Sequence, residues 1–401
     1  MKWEYKTLDQ LGTVSRGKSK HRPRNDPKLF GGKYPFIQTA DVKNADYYIT
    51  KYSDTYNESG LAQSKLWDKG TLCITIAANI ADTGVLAFPA CFPDSIMGFV
   101  PFEGVANTRF IKYCFDRLQR DCKQISQGTA QDNLSWEKLS TIKFCIPEYK
   151  EQCRIADILS AYDDLIENNQ KQIKLLEEAA QRFYKEWFVD LRFPGHENTK
   201  IVDGVPEGWR VASIADICDT VGGGTPSTKI QSYYEKGDIL WVTPTDITRN
   251  FSLALLDTEK KITPEGLKNS SAKMLPAETI LMTSRASVGF FGMCKYEVCT
   301  NQGFISCIPK RENLQMYLLF NLKSRVEEIR QKAGGSTYLE ISKTVFRELK
   351  IILPKDEVLA EYQKNVHDIF DEIYCRTEMI KSLVDMRNRL LPKLVSGEVE
   401  V

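Results

Sequence analysis

Residues 155–187 read IADILSAYDDLIENNQKQIKLLEEAAQRFYKEW. Ile155, Leu159, Tyr162, Ile166, Asn169, Ile173, Leu176, Ala180, Phe183 and Trp187 recur in this stretch in steps of four and three. That spacing is a heptad seam, the mark of a helix that lays one stripe against a partner. Residues 362–394, YQKNVHDIFDEIYCRTEMIKSLVDMRNRLLPKL, repeat it 207 positions later. The second seam runs through Tyr362, Val366, Ile369, Ile373, Arg376, Ile380, Leu383, Arg387, Leu390 and Leu394. A helix over the first seam is about 48 Å long at 1.5 Å per residue, and such a helix is unstable alone. The other copy is its nearest partner. Antiparallel pairing then predicts that the equivalent residues Asn169 and Arg376 meet near the two midpoints, where a polar pair sets register. The alternative is two ordinary core helices in separate domains. Pro392 argues against the helix reaching Leu394.

The repeat continues into the segments before each seam. Trp3 to Leu11 aligns with Trp209 to Ile217, Pro35 to Val42 with Leu240 to Ile247, and Thr71 to Thr75 with Thr279 to Thr283. Gly128 and Pro147 match Gly335 and Pro354. Short β-rich runs broken by Gly and Pro (Leu72 to Ala78, Ile280 to Thr283, Lys350 to Leu353) predict an α+β fold for each segment. The chain therefore reads as two similar α+β heads joined by two long helices in an antiparallel coiled coil, an internal pseudo-twofold repeat. Its expected parts are a head over 1–150, a helix over 151–193, a second head over 194–354 and a helix over 355–401. Between the first helix and the second head, Phe193 to Gly208 is a polar linker carrying Pro194, Gly195, Gly204, Pro206 and Gly208.

With 401 residues, 42% apolar and 27% charged, the composition is that of a globular protein with two or three cores. A net charge of +1 excludes a global field that would draw the chain to nucleic acid, leaving only local patches. Eleven cysteines without a CxxC pair offer neither a zinc ribbon nor a redox motif, and fit reduced thiols in a cytoplasm. Met1 to Leu11 carries charges throughout, unlike a signal peptide. No apolar run approaches the ~20 residues that span a bilayer, so no membrane role is expected.

Catalytic patterns fail on inspection. Gly12-Thr13-Val14-Ser15-Arg16-Gly17-Lys18-Ser19 satisfies GxxxxGK[ST], but its flanks are too polar for a central strand and are broken by Pro23 and Pro27. Nucleotide binding through Lys18 would be needed to sustain an ATP-using enzyme. The [DNS]PP[YF] loop of amino-methyltransferases is missing, since no Pro-Pro occurs. Pro93-Asp94 and Glu148-Tyr149-Lys150 are too far apart for a PD…ExK nuclease, and the second copy lacks them. His21, His196 and His367 lie far apart with no acidic cluster beside them in sequence, so no metal site is expected. The chain reads as a binding protein.

Arg16, Lys18, Lys20, Arg22, Arg24 and Lys28 form a basic stretch interrupted by Gly and Pro, a loop suited to phosphate contacts; a solvated surface loop is the plainer alternative. Polar clusters fall at matching places in both heads. They are Gln38, Thr39 and Asp41 against Thr243, Thr245 and Asp246; Gln127, Thr129 and Gln131 against Ser336, Thr337 and Tyr338; and Thr75 against Thr283, Ser284 and Arg285. Arg and Gln can read base edges bidentately. Each single residue here also has a purely structural reading.

In this order the features resemble the specificity subunits of type I restriction-modification systems, over the full length. The motifs are Gly222-Gly223-Gly224-Thr225-Pro226, Ser284-Arg285-Ala286-Ser287-Val288-Gly289, Gln152 to Leu159 and the ending Arg389 to Val399. The resemblance implies a non-catalytic chain whose heads each read one half of a bipartite sequence in double-stranded DNA. It implies that the helices set the spacer and dock two methyltransferase subunits. It also implies a motor-nuclease partner, with S-adenosylmethionine and ATP on the partners and no cofactor on this chain. Expected DNA contacts are Arg16, Lys18, Lys20, Arg22, Arg24, Gln38, Thr39, Thr75, Asn79, Gln127, Thr129, Gln131, Thr225, Thr243, Thr245, Thr283, Ser284, Arg285, Ser287, Ser336, Thr337 and Tyr338. The first head departs from the pattern at Ser15 to Ser19 and at Thr75-Ile76-Ala77-Ala78-Asn79. A two-headed adaptor for protein ligands is the reading from another class.

Overall fold

Both seams lie inward along their whole length, with every member buried or half-buried. A computed structural model describes residues 3–45, 47–76, 82–125, 136–335 and 338–401, the side chains of 122–125, 136 and 138 aside. It divides into two compact units, one of Met1–Ile166 with Leu383–Val401 and one of Glu167–Ser382. Four helices organise them: α1 (Thr108–Ile125), α2 (Tyr149–Tyr184), α3 (Gln315–Ser324) and α4 (Asp356–Ser396). A π-helical turn, Lys185–Val189, extends α2.

In the first unit, β1 (Gly12–Arg16), β2 (Tyr48–Ile49), β3 (Leu72–Thr75), β4 (Thr83–Leu86) and β5 (Ile96–Pro101) form one sheet in the order β1-β5-β3-β4-β2. In the second unit, β6 (Cys218–Gly222), β7 (Ile280–Thr283), β8 (Phe291–Gly292) and β9 (Phe304–Pro309) form a sheet in the order β6-β9-β7-β8. The registers repeat as well. Gly12 opposes Pro101 and Arg16 opposes Met97, as Cys218 opposes Pro309 and Gly222 opposes Ile305. Both β3 and β7 are buried along their length, which is why Leu72-Cys73-Ile74 and Ile280-Leu281-Met282 read as unbroken apolar runs rather than alternating ones.

The local chemistry that starts the short helices is duplicated too. Gln38 N–H donates to Asp41 Oδ2 at 2.8 Å, and Thr243 N–H donates to Asp246 Oδ2 at the same distance. Thr7 N–H donates to Gln10 Oε1 at 3.0 Å, and Ser213 N–H donates to Asp216 Oδ2 at 2.7 Å. In each case the third helical residue reaches back to an amide that has no helical partner. Residues that the sequence shows as polar clusters are thus partly capping boxes. The linker over 193–208 holds a small hairpin, Ile201–Val202 against Val205–Pro206.

Within the first unit, the start of α2 packs against the end of α4. Ile155, Ala156 and Leu159 share one core with Leu391, Leu394 and Val395, together with Leu8, Leu72, Phe110 and Phe115 of the head. Asp163 on α2 accepts from Tyr113 Oη at 2.5 Å and from Arg387 on α4. Within the second unit, the other halves of the two helices pair with the opposite chain sense. Arg376 Nη1 donates to Asn169 Oδ1 at 3.1 Å, the contact that the heptad alignment predicts. Farther along, Tyr362 lies among Phe183, Tyr184, Trp187 and Phe188.

Pro392 does not stop α4, and Leu394 is fully buried on the helix, against the sequence expectation. A proline frees the carbonyl four residues earlier, here that of Asn388. Arg120 on α1 donates to it through Nη1 at 3.0 Å, so that carbonyl keeps a donor.

Candidate nucleic-acid interface

In the second unit, four loops meet at one end of the sheet. The turn after β6 is fixed when Gly224 N–H donates to Thr300 O at 2.9 Å. A Cβ on Gly223 would meet that same oxygen at 2.1 Å, so the close approach requires glycine. Asn301 N–H donates to Val242 O at 3.0 Å, which brings the 300–303 turn to the Thr243 cap. Ser284 N–H donates to Gly303 O and Ile341 N–H to Ser284 O, which tie in the loops after β7 and before Ser342. Thr225, Thr243, Thr245, Arg285, Ser287 and Tyr338 are thereby gathered into one region. Thr225, Thr245, Arg285, Ser287 and Tyr338 are exposed, Tyr338 by 60%. Arg285 Nε lies 3.7 Å from Glu340 Oε2.

The first unit builds the corresponding group on the same frame. Gly17 N–H donates to Ile96 O and Lys18 N–H to Phe92 O. A Cβ on Gly17 would meet Phe92 O at 2.3 Å, the counterpart of Gly223. Ile37 N–H donates to Cys91 O, placing Gln38 and Thr39 beside this turn. Gln38 Nε2 donates to Asp54 Oδ2 at 2.6 Å. Residues 12–16 are a strand and no helix opens at Lys18, so the GxxxxGK[ST] pattern forms no phosphate cradle.

The basic stretch divides into two kinds of residue. Arg24 donates to Asp94 at 2.6 Å, while Arg22 lies 4.0 Å from the same carboxylate and donates to the carbonyls of Ser19 and His21. Arg16, Lys18 and Lys20 are exposed and have no carboxylate partner among the described residues. Three expected contacts do not reach the surface. Thr75, Thr283 and Ser284 are buried at 1%, 0% and 3% exposure. Thr75 Oγ1 accepts from Asp82 N–H and Thr283 Oγ1 from Phe290 N–H, each at 3.0 Å, so these hydroxyls staple the loops they start. Asn79, Gln127, Thr129, Gln131, Ser336 and Thr337 lie outside the described residues.

The sequence reading missed Gln302. It is exposed in the 300–303 turn, and Thr225 Oγ1 donates to its Oε1 at 2.5 Å. It also left His367 without acidic neighbours, whereas Glu278 and Asp371 place ligand atoms within 4.8 Å of it. Lys295 donates to Asp371 as well, so a lysine, an imidazole and two carboxylates lie together. Among the described residues no helix is long and apolar enough to cross a membrane.

Known proteins resemble this chain over its full length. The family model for the type I restriction modification DNA specificity domain matches twice, at residues 1–178 and 206–384. The type I restriction enzyme MjaIX specificity subunit of Methanocaldococcus jannaschii is 27% identical over 420 residues, covering 100% of this chain and 94% of its own. The HindI specificity subunit of Haemophilus influenzae is 26% identical over 328 residues, covering 66% of this chain and 71% of its own. In fold, the chain is similar to the crystal structure of a type I restriction-modification S subunit from M. genitalium, with a TM-score of 0.58, 16% identity and coverage of 98% and 96%. These matches do not favour the adaptor reading. The chain belongs to the type I restriction-modification DNA specificity family, with two copies of the specificity domain in tandem.

Proposed function

We propose that this chain is the sequence-reading subunit of a type I complex, with heads over 1–150 and 194–354 that each contact one half of a bipartite duplex site. The observation that carries the proposal is the loop cluster built twice on one strand order, with different side chains in each copy. Arg16, Lys18 and Lys20 contact phosphates. Gln38, Thr39, Thr225, Thr243, Thr245, Arg285, Ser287 and Tyr338 face the groove or its edges. Arg22 and Arg24 shape the first loop through Asp94 and contribute less. The paired helices fix the unread spacer; the first seam, about 48 Å long, matches ~14 base pairs at 3.4 Å each. Two modification subunits bring S-adenosylmethionine and the adenine N6 chemistry, and a motor-nuclease subunit brings ATP. The chain itself supplies neither chemistry nor cofactor and works in the cytoplasm.

Two results test this reading. Lys18→Ala with Lys20→Ala weakens DNA binding by similar factors on all sequences and lowers the slope of log K against log salt by about 2. An unchanged slope in a salt titration removes these lysines from the interface. Changing Asn169 and Arg376 together to Leu leaves the helix pair as stable or adds about 1–4 kcal/mol, yet broadens the spacer preference because the polar register mark is gone. Binding to a series of sites with altered spacers reads this out, and an equally sharp preference contradicts the ruler.

A further inference from the structure

Gln302 is held more tightly than an exposed side chain needs to be. Its turn is pinned at both sides, by Asn301 N–H on Val242 O at 3.0 Å and by Ser284 N–H on Gly303 O at 2.8 Å. Gly303 N–H also donates to Asn301 Oδ1 at 2.8 Å, which closes the turn on itself. Thr225 Oγ1 then donates to Gln302 Oε1 at 2.5 Å. The amide oxygen is engaged and the amide nitrogen is the free end of the side chain.

The corresponding place in the first head carries different chemistry. Because β5 and β9 pair in the same register with β3 and β7, Asp94 stands where Gln302 stands. Its carboxylate is taken by Arg24 at 2.6 Å, with Arg22 at 4.0 Å. One frame thus displays a neutralised carboxylate and the other an oriented amide, at the same point of the same loop cluster.

We propose that Gln302 is a specificity-determining residue of the second head, donating its amide N–H groups to the N7 and O6 acceptors of a guanine in the major groove, with Thr225 as its positioning residue. The inference rests on the DNA-reading proposal above. Bidentate pairing with adenine needs the glutamine oxygen and nitrogen side by side at the base edge. Thr225 holds one lone pair of Oε1 and so ties the oxygen to its own side, leaving the NH2 end with its two donors, which suits the acceptor edge of guanine.

The test is selection from a DNA library randomised in both half-sites, using the full chain assembled with its modification subunits. The wild type selects guanine at one position of the second head's half-site. Gln302→Ala loses discrimination there by about ten- to a hundredfold and leaves the other half-site intact. Thr225→Val relaxes the same position and admits adenine, and Thr225→Ser restores guanine, which a merely structural threonine would not do. An unchanged motif in Gln302→Ala, relaxation spread over both half-sites, or a relaxed base that was not guanine overturns the inference. A wild-type complex that selects no bipartite motif overturns the DNA reading, and this inference with it.

Discussion

Replacing Arg387 by Ala is expected to lower the unfolding free energy of the first unit by about 3–5 kcal/mol. Asp163, with a side chain only 6% exposed, faces Arg387 on α4 and Tyr113 on α1. Burial raises its carboxyl above the ordinary range, and Arg387 with the Tyr113 hydroxyl pulls it back. Removing the guanidinium strands a charge without its partner, which is far costlier than never having had the pair. In Arg387→Ala the folded carboxyl rises further, so the folded state holds its proton more tightly than the unfolded chain. The deficit is therefore small near and below the ordinary value of 3.8 and grows as pH rises through the raised value. Urea titration at several pH values checks both parts. A deficit below about 1 kcal/mol at neutral pH, or one that grows on acidification, contradicts the account.

Tyr362 carries the second large effect. It is fully buried and sits with ring centroids 5.6 Å from Phe183, 5.9 Å from Trp187 and 4.8 Å from Phe188. Tyr362→Ala empties the centre of that aromatic cluster and is expected to cost about 3–5 kcal/mol, as for other large aromatic truncations. The hydroxyl is a separate matter. It is buried and finds no hydrogen-bond partner among the described residues, and burial pushes its titration well above the usual tyrosine value. An unpartnered buried hydroxyl contributes a desolvation penalty and no compensating bond. Tyr362→Phe is therefore expected to be neutral or mildly stabilising. Thermal unfolding of the two variants separates ring from hydroxyl, and a Phe variant as damaging as the Ala variant would mean that the hydroxyl is bonded after all.

The helices were the most legible part of the chain because period and burial coincide: a four-three spacing puts every seam member inward, and equivalence alone paired Asn169 with Arg376. The repeat of strands and caps was legible for the same reason, since Gln38 with Asp41 and Thr243 with Asp246 stand at equal spacings. What escaped was chemistry that arrives from far along the chain. Arg120 rescues the carbonyl freed by Pro392 from 268 positions away, so the proline read as a stop when it was not one. Glu278 reaches His367 across 89 positions. Thr75, Thr283 and Ser284 read as surface residues because they are polar and lie at strand ends, yet all three are buried and the two threonine hydroxyls accept from amides of their own loops. Gln302 carries no motif; only the meeting of four loops sets it apart.

As the sequence-reading subunit, this chain determines which DNA sequence is modified. The most direct test is methylation sequencing of DNA from cells expressing the chain with its modification subunit. N6-methyladenine is expected at one bipartite motif with a fixed spacer, lost when this chain is omitted and altered in one half only when one head is exchanged. Methylation that persists unchanged without the chain, or that follows no bipartite motif, would contradict it.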